Sequence, residues 1–383
     1  MKFRFLFLAI VVAALCASCI KEEAPNAEAD IIECWLDRDV MLRAPQIEND
    51  SITITVKDGV NVTRLAPQFR LTEGATIEPA SGTVRNFSTV QYYVVTSQDG
   101  QWAKRYAVRV VAADFSGDAA DTLITFSFET VKNKGTLVTY PVFYETDLPL
   151  LGSFDWASGN AGYALTGMAS SAEKFPTHLS TNGYEGSCAE LVTCSAGSFG
   201  AMADKPMAAG NLFLGSFDMG KAMSSPLEST LFGMSIAAEP IMVEGWMNYK
   251  AGETFYVADA SASDGIRAVP DRVDRCDIYA IFFEPTEDMP YLTGDNPRSE
   301  SNPNIISVAT LPEAQTATTD GWVHFEMPFV MRAGKTIDAD KLRHGGYSIA
   351  LVFSSSAGGA EFQGALDSRL QIDNVAIKFR PKK

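Results

Sequence analysis

Apolar and polar residues alternate along much of this chain, with little trace of helical periodicity. Ser51-Ile-Thr-Ile-Thr-Val56 carries the two-residue period of a half-buried strand. Val90-Gln-Tyr-Tyr-Val-Val95 and Tyr106-Ala-Val-Arg-Val110 predict further strands, and Asp99-Gly100 between them marks a hairpin. Leu123 to Glu129 alternates again, which turns Ile124, Phe126 and Phe128 inward and Thr125, Ser127 and Glu129 outward. Pro240 to Tyr249, Asp277 to Glu284, Trp322 to Phe329, Tyr347 to Ser354 and Leu370 to Phe379 predict the later strands, separated by glycine, serine and proline loops. Ile337 to Arg343 predicts one helical turn. The pattern predicts an all-β chain: a small Ig-like β-sandwich over 31–113, a linker over 114–122, and a larger jelly-roll β-sandwich over 123–383.

The first residues break that pattern. Lys2 and Arg4 precede an apolar stretch from Phe5 to Ala14, too short to span a bilayer comfortably. Leu15-Cys16-Ala17-Ser18-Cys19 follows. Ala17-Ser18-Cys19 resembles a lipobox, the bacterial signal whose cysteine is lipidated and becomes the first residue of the mature protein; Cys16 sits where an aliphatic or small residue is usual. The expectation is a signal peptide over 1–18, a lipid on Cys19 and a flexible tether over 19–30. The charged run Ile20-Lys-Glu-Glu23 resembles the surface-export signals of Bacteroidetes lipoproteins, which implies an outer-membrane protein facing the exterior and held by its lipid anchor only.

The formal net charge is −16, and removing residues 1–18 takes away Lys2 and Arg4 and no acid, which leaves −18. So negative a surface repels phosphate backbones, so nucleic acid is excluded as a natural partner, whereas neutral sugars meet no such barrier. Of six cysteines, Cys34, Cys188, Cys194 and Cys276 remain beyond the lipid site. They do not form a dense disulfide framework; Cys188 and Cys194 are spaced to close a short loop, but spacing alone assigns no pairing.

Two stretches carry family resemblances. "ITITVKDGVNVTRLAPQFRLTEGATIEP" and "VQYYVVTSQDGQWAKRYAVRVV" resemble the small Ig-like domains that open many Bacteroidetes surface lipoproteins, where the domain acts mostly as a spacer. "CAELVT" at 188–193, "VEGWMNYKAGETF" at 243–255, "DIYAIFFEP" at 277–285, "GWVHFEMPF" at 321–329 and "LVFSSSAGGAEFQGALDSRLQIDNVAIKF" at 351–379 resemble the Bacteroidetes "putative carbohydrate metabolism domain". That resemblance implies a jelly roll like those of carbohydrate-binding modules. It brings no substrate and no catalytic residues.

Strand parity picks the candidate site. In 241–249 the apolar set Ile241, Val243, Met247 and Tyr249 alternates with Met242, Glu244, Trp246 and Asn248. In 322–329, Val323, Phe325, Met327 and Phe329 point one way, and Trp322, His324 and Glu326 the other. Two strands thus put a tryptophan and polar partners on the face away from the core. An aromatic plane there can stack on a pyranose while amides and carboxylates bond its hydroxyls. Asp277 is expected among those polar contacts. Trp156 and Asn160, with Asp155 in a turn-rich loop, are further candidate glycan contacts, as are Tyr163 and Tyr184 in similar settings. Glu129 and Asp373, on the first and last strands of the domain, suggest a structural calcium site; no other cofactor is implied. Around Asp373-Asn374 the parity slips, with Leu370 and Ile372 in one register and Val375, Ile377 and Phe379 in the other, which predicts a β-bulge.

The leading expectation is therefore non-catalytic glycan binding at a cell surface, alongside other outer-membrane glycan-uptake proteins. Two alternatives stay open: a polysaccharide hydrolase or lyase, and a structural or adhesive lipoprotein with a protein partner. His178, His324 and His344 show no zinc-motif spacing. Glu244, Glu326, Asp277 and Glu284 are possible glycosidase carboxylates by type, but in so acidic a chain that decides nothing.

Overall fold

The computed structural model describes residues 25–381 apart from 38, 43–44, 48–49, 58, 113–122, 136–137, 223 and 296. The expected signal peptide, Cys19, the start of the tether and the linker lie outside the described residues. No helix among those described is long and apolar enough to cross a membrane.

The N-terminal part is built on a five-stranded sheet of Gln46–Ile47, Ser51–Val56, Ala103–Ala112, Gln91–Thr96 and Thr76–Glu78, in that spatial order. Ser51–Val56 runs parallel to Ala103–Ala112, and the other pairs are antiparallel. A two-stranded sheet, Ile31–Trp35 with Gln68–Leu71, supplies the second layer. Ile52, Ile54, Tyr93, Tyr106 and Val108 pack with Cys34 and Phe69 in a core of its own. Asp99-Gly100 lies in the turn joining Gln91–Thr96 to Ala103–Ala112, with Gly100 at a positive φ of 70°.

From Leu123 onward the chain forms a two-sheet sandwich. The front sheet orders Thr177–Ser180, Cys188–Val192, Arg369–Phe379, Pro240–Lys250 and Val323–Pro328, and Leu123–Phe126 pairs with the second half of Arg369–Phe379. The back sheet orders Asn211–Phe213, Tyr347–Ser354, Asp277–Phe283, Ile305–Thr310 and Val330–Met331, with Met234–Ile236 beside Tyr347–Ser354. All these pairs are antiparallel. Val243, Met247, Phe325 and Ile372 from the front meet Ile278, Phe282, Ile349 and Leu351 from the back in one buried cluster. Opposed apolar faces of this kind define a sandwich. Ile124, Phe126 and Phe128 all point into it.

The back sheet is buried on both sides. Tyr279, Ile281, Phe283, Ala350 and Val352, on its outer face, pack with Phe213, Phe232 and Leu292 in a further cluster. Hence Asp277–Phe283 and Tyr347–Ser354 read as nearly continuous apolar runs rather than alternating ones.

The bulge is where parity places it. Glu244 pairs with Ala376 but Trp246 pairs with Asp373, so two residues, Asn374 and Val375, oppose Gly245 alone. Asn374 takes a left-handed φ of 45°, a conformation asparagine tolerates better than most residues. The inward set shifts there from Leu370 and Ile372 to Val375, Ile377 and Phe379. The helical turn is Ala339–Arg343, capped by the Asp338 side chain. Cys34, Cys188, Cys194 and Cys276 are free thiols, so the short loop between Cys188 and Cys194 is not closed. Burial pushes the Cys188 thiol up to about 12 and Cys194 to about 11, which leaves both uncharged.

Candidate functional site

The outer face of the front sheet carries the polar residues that alternate with its core positions. One row of hydrogen bonds crosses five segments. His178 Nε2 lies 3.3 Å from Glu190, Gln371 donates to Glu190 at 2.7 Å, Asn248 donates to Gln371 at 3.0 Å, and Thr319 donates to Asn248 at 3.3 Å. Burial pushes the Glu190 carboxyl up, but the His178 and Gln371 contacts and the Arg369 charge outweigh it and hold it below its ordinary value. The row is a rigid, satisfied strip along one side of the face.

Beside it, Trp246 pairs across strands with His324, their rings 5.2 Å apart. One step further, Glu244 lies opposite Glu326, and the Lys378 ammonium pairs with Glu244. Glu244, His324 and Glu326 each offer a ligand atom, all within 4.8 Å of one another. Such a set is the right chemistry for a divalent cation, but a cation there would compete with Lys378 for Glu244.

The loop joining Thr177–Ser180 to Cys188–Val192 folds back over this face. It carries Tyr184, whose ring stacks on Trp246 at 3.8 Å with planes 9° apart. Trp322 stands against Tyr184 at 6.2 Å and 67°. Buried and exposed groups hold the loop down together. The Gly183 N–H bonds the Gly186 carbonyl at 3.0 Å in a tight turn. Glu185 N donates to Asp373 at 2.9 Å, and Ser187 N to Glu129 at 3.0 Å. Asn374, the bulge residue, donates from its side chain to Glu185 at 3.2 Å. Asp373 is fully buried. Burial raises its carboxyl above the usual range, and its backbone N–H donors pull it part of the way back. The bulge aims Asp373 and Asn374 at the loop, and the loop sets Tyr184 on Trp246.

The structure brings together six of the expected residues: Tyr184, Glu244, Trp246, Asn248, Trp322 and Glu326. Both tryptophans are partly exposed. The inner ring of the platform is Trp246, however, and the ring turned to solvent is Tyr184, which is 39% exposed. Four expected contacts lie elsewhere. Trp156 is 2% exposed, packed among Phe126, Phe128, Phe154 and Phe353, with its indole N–H donated to Glu145 at 3.1 Å. Its turn-rich sequence hides the fact that this loop enters the open end of the sandwich, so it is an anchor and not a glycan contact. Asn160 is completely buried and ties Pro141 to Thr177 through both backbone groups of Thr177. Asp277 belongs to the back sheet, where Arg298 grips it at 2.6 and 3.2 Å. Tyr163 is buried and donates to the Ser195 carbonyl. Glu129 and Asp373 do meet beneath the same loop, and their oxygens accept its backbone N–H groups. His178, Glu190, Gln371 and Lys378 escaped sequence reasoning. The outward position of Glu190 in Cys188-Ala-Glu-Leu-Val192 was the available signal.

An all-β sandwich whose outer sheet face carries aromatic rings and hydrogen-bonding side chains defines a carbohydrate-type module. The family model for the "putative carbohydrate metabolism domain" matches residues 127–378, and the chain belongs to that family. Residues 44–110 match the model described as "SGBP, N-terminal". A solved structure described as a "putative glycoside hydrolase" from Bacteroides thetaiotaomicron is 43% identical, covering 94% of this chain and all of the other, with a TM-score of 0.79. A second structure with that description, from Bacteroides vulgatus, is 39% identical over 67% of this chain and 98% of its own, with a TM-score of 0.61. No curated protein matches.

Proposed function

We propose that the chain captures glycan at a cell surface without cleaving it, through the outer face of the front sheet. The observation that carries this reading is the Tyr184–Trp246–Trp322 cluster, set beside Glu244, Asn248, His324 and Glu326 on a face with no other burden. Tyr184 and Trp322 meet at a steep angle, so a pyranose laid on Tyr184 has Trp322 along its edge and carboxylates within reach of its hydroxyls. The match to the SGBP N-terminal model supports a surface glycan-binding role, with the first domain as a spacer above a lipid on Cys19 and other outer-membrane glycan-uptake proteins as neighbours.

Hydrolysis is the second reading, and one observation favours it. Glu244 and Glu326 bring carboxylate oxygens within 4.8 Å, near the roughly 5 Å separation of retaining glycosidases. Lys378, however, already pairs with Glu244, so that carboxylate is engaged by a cation before any substrate arrives. One experiment tests both readings: a glycan array probed with the full chain, its Tyr184→Ala and Trp322→Ala variants, and chromatography of each bound oligosaccharide after prolonged incubation. Binding that either variant weakens at least tenfold, with oligosaccharides intact, supports capture. Cleavage lost in Glu326→Gln supports hydrolysis. No binding to any glycan sinks both and leaves a protein partner as the better account.

A further inference from the structure

A separate cavity of about 380 Å³ lies over the outer face of the back sheet, within the roughly 300–1,000 Å³ of small-ligand pockets. Its floor is two rows in register across three strands. Asn211, Ser354 and Asp277 form a polar row, and Phe213, Val352 and Tyr279 form an apolar and aromatic row beside it. Arg298 completes the floor. It grips Asp277 through two nitrogens, and its guanidinium carbon sits 4.2 Å from the Tyr279 ring centroid. Phe199, Phe217 and Phe362 stand in the walls.

Its size and its mixed aromatic and polar lining mark this as more than a packing gap. Phe199, at its rim, is 40% exposed. Phe362 caps the helical turn Gly359–Glu361 with a left-handed φ of 55° and donates its N–H to the Gly359 carbonyl. The lining also decides the ligand's charge. Its charged side chains are Asp277, Glu361, Lys205 and Arg298, two of each sign. The one cation at the floor is already neutralised by Asp277. A carboxylate or sulfate would have to break that pair, whereas hydroxyls can bond the free lone pairs and N–H groups at its rim.

We infer that this cavity is a second saccharide site, taking the neutral terminal unit of a glycan, about one or two sugar rings. It uses none of the front-face residues and stands or falls separately from them. The test is calorimetry and saturation-transfer NMR on the full chain with short neutral oligosaccharides of glucose, galactose, mannose and xylose, with uronic and sulfated disaccharides as controls. Ala360 and Ala357 line the mouth and are exposed, so Ala360→Trp and Ala357→Trp block it without entering the core; unchanged thermal unfolding verifies each. The expected result is binding of a neutral disaccharide that both blocks weaken at least tenfold and Tyr184→Ala leaves within twofold. The inference is overturned if no neutral oligosaccharide binds, if only the charged sugars bind, or if binding survives the blocks and fails in Tyr184→Ala. That last result would spare the front-face reading.

Discussion

Tyr184 lies flat on Trp246 with 3.8 Å between ring centroids and 9° between planes. The two residues come from a loop and from the centre of a sheet, so the stack joins a mobile kind of element to a rigid one. Removing Tyr184 exposes a tryptophan that the loop now covers. Tyr184→Ala is expected to red-shift the tryptophan emission and to weaken glycan binding to the front face at least tenfold. Its cost to stability is at least about 1 kcal/mol, the worth of one aromatic pair, to which the loss of the ring's covered area adds. Fluorescence, calorimetry and thermal unfolding on the same sample check all three; unchanged emission would mean that the stack does not form in solution.

Gly186 is the point where the loop is least tolerant. Its φ is +67°, and a Cβ there would meet the Glu129 carboxylate oxygens at 2.7 and 2.9 Å. Gly186→Ala therefore combines backbone strain with a clash at the group that anchors Ser187, at a cost of about 1–3 kcal/mol. The expected outcome is faster proteolysis within 181–187 and weaker glycan binding, with the melting of the first domain unmoved. Normal protease resistance of the loop would refute the anchoring role given to Glu129.

Trp156 separates packing from recognition. Truncating a fully buried tryptophan costs about 3–5 kcal/mol, and Glu145, whose carboxyl burial already pushes up, loses its indole partner as well. Trp156→Ala should lower the unfolding midpoint sharply while the fraction still folded binds glycan with unchanged affinity. A binding defect without destabilisation would restore Trp156 as a contact.

Asp373 predicts a pH effect. Burial raises its folded-state carboxyl above its ordinary value of 3.8. The native state therefore holds a proton that the unfolded chain has released, and this group favours folding as pH falls from neutrality towards 3.8. At neutral pH the charged form carries a desolvation cost that its N–H donors only partly offset. Denaturant unfolding of wild type and Asp373→Asn across that interval should show the difference between them shifting in favour of wild type at the acid end. Parallel curves would mean that Asp373 is not perturbed.

What the sequence showed depended on how many faces of a strand are buried. Where one face is wet, alternation located Ser51–Val56, Pro240–Lys250 and Val323–Pro328 and chose their outward residues, including Trp246 and Glu326. The slip at Asp373-Asn374 located the bulge for the same reason. Where both faces are covered, alternation vanishes, so Asp277 could be placed on a strand but not on a sheet. Loop residues were the least legible. Nothing local distinguishes Trp156, which dives into the core, from Tyr184, which lies across the surface, because the difference is made by Glu145 in one case and by Glu129 and Asp373 in the other.

The pairing of Leu123–Phe126 with Val375 to Lys378 ties the first strand of the sandwich to its last. Arg369–Phe379 also sits between Cys188–Val192 and Pro240–Lys250, so the central strand of the front sheet comes after every other strand of that sheet in sequence. Its three partners, Leu123–Phe126, Cys188–Val192 and Pro240–Lys250, all precede it in the chain. The front sheet therefore cannot be completed in sequence order by neighbouring hairpins alone, and its closure rests on pairings of long sequence separation, which form slowly.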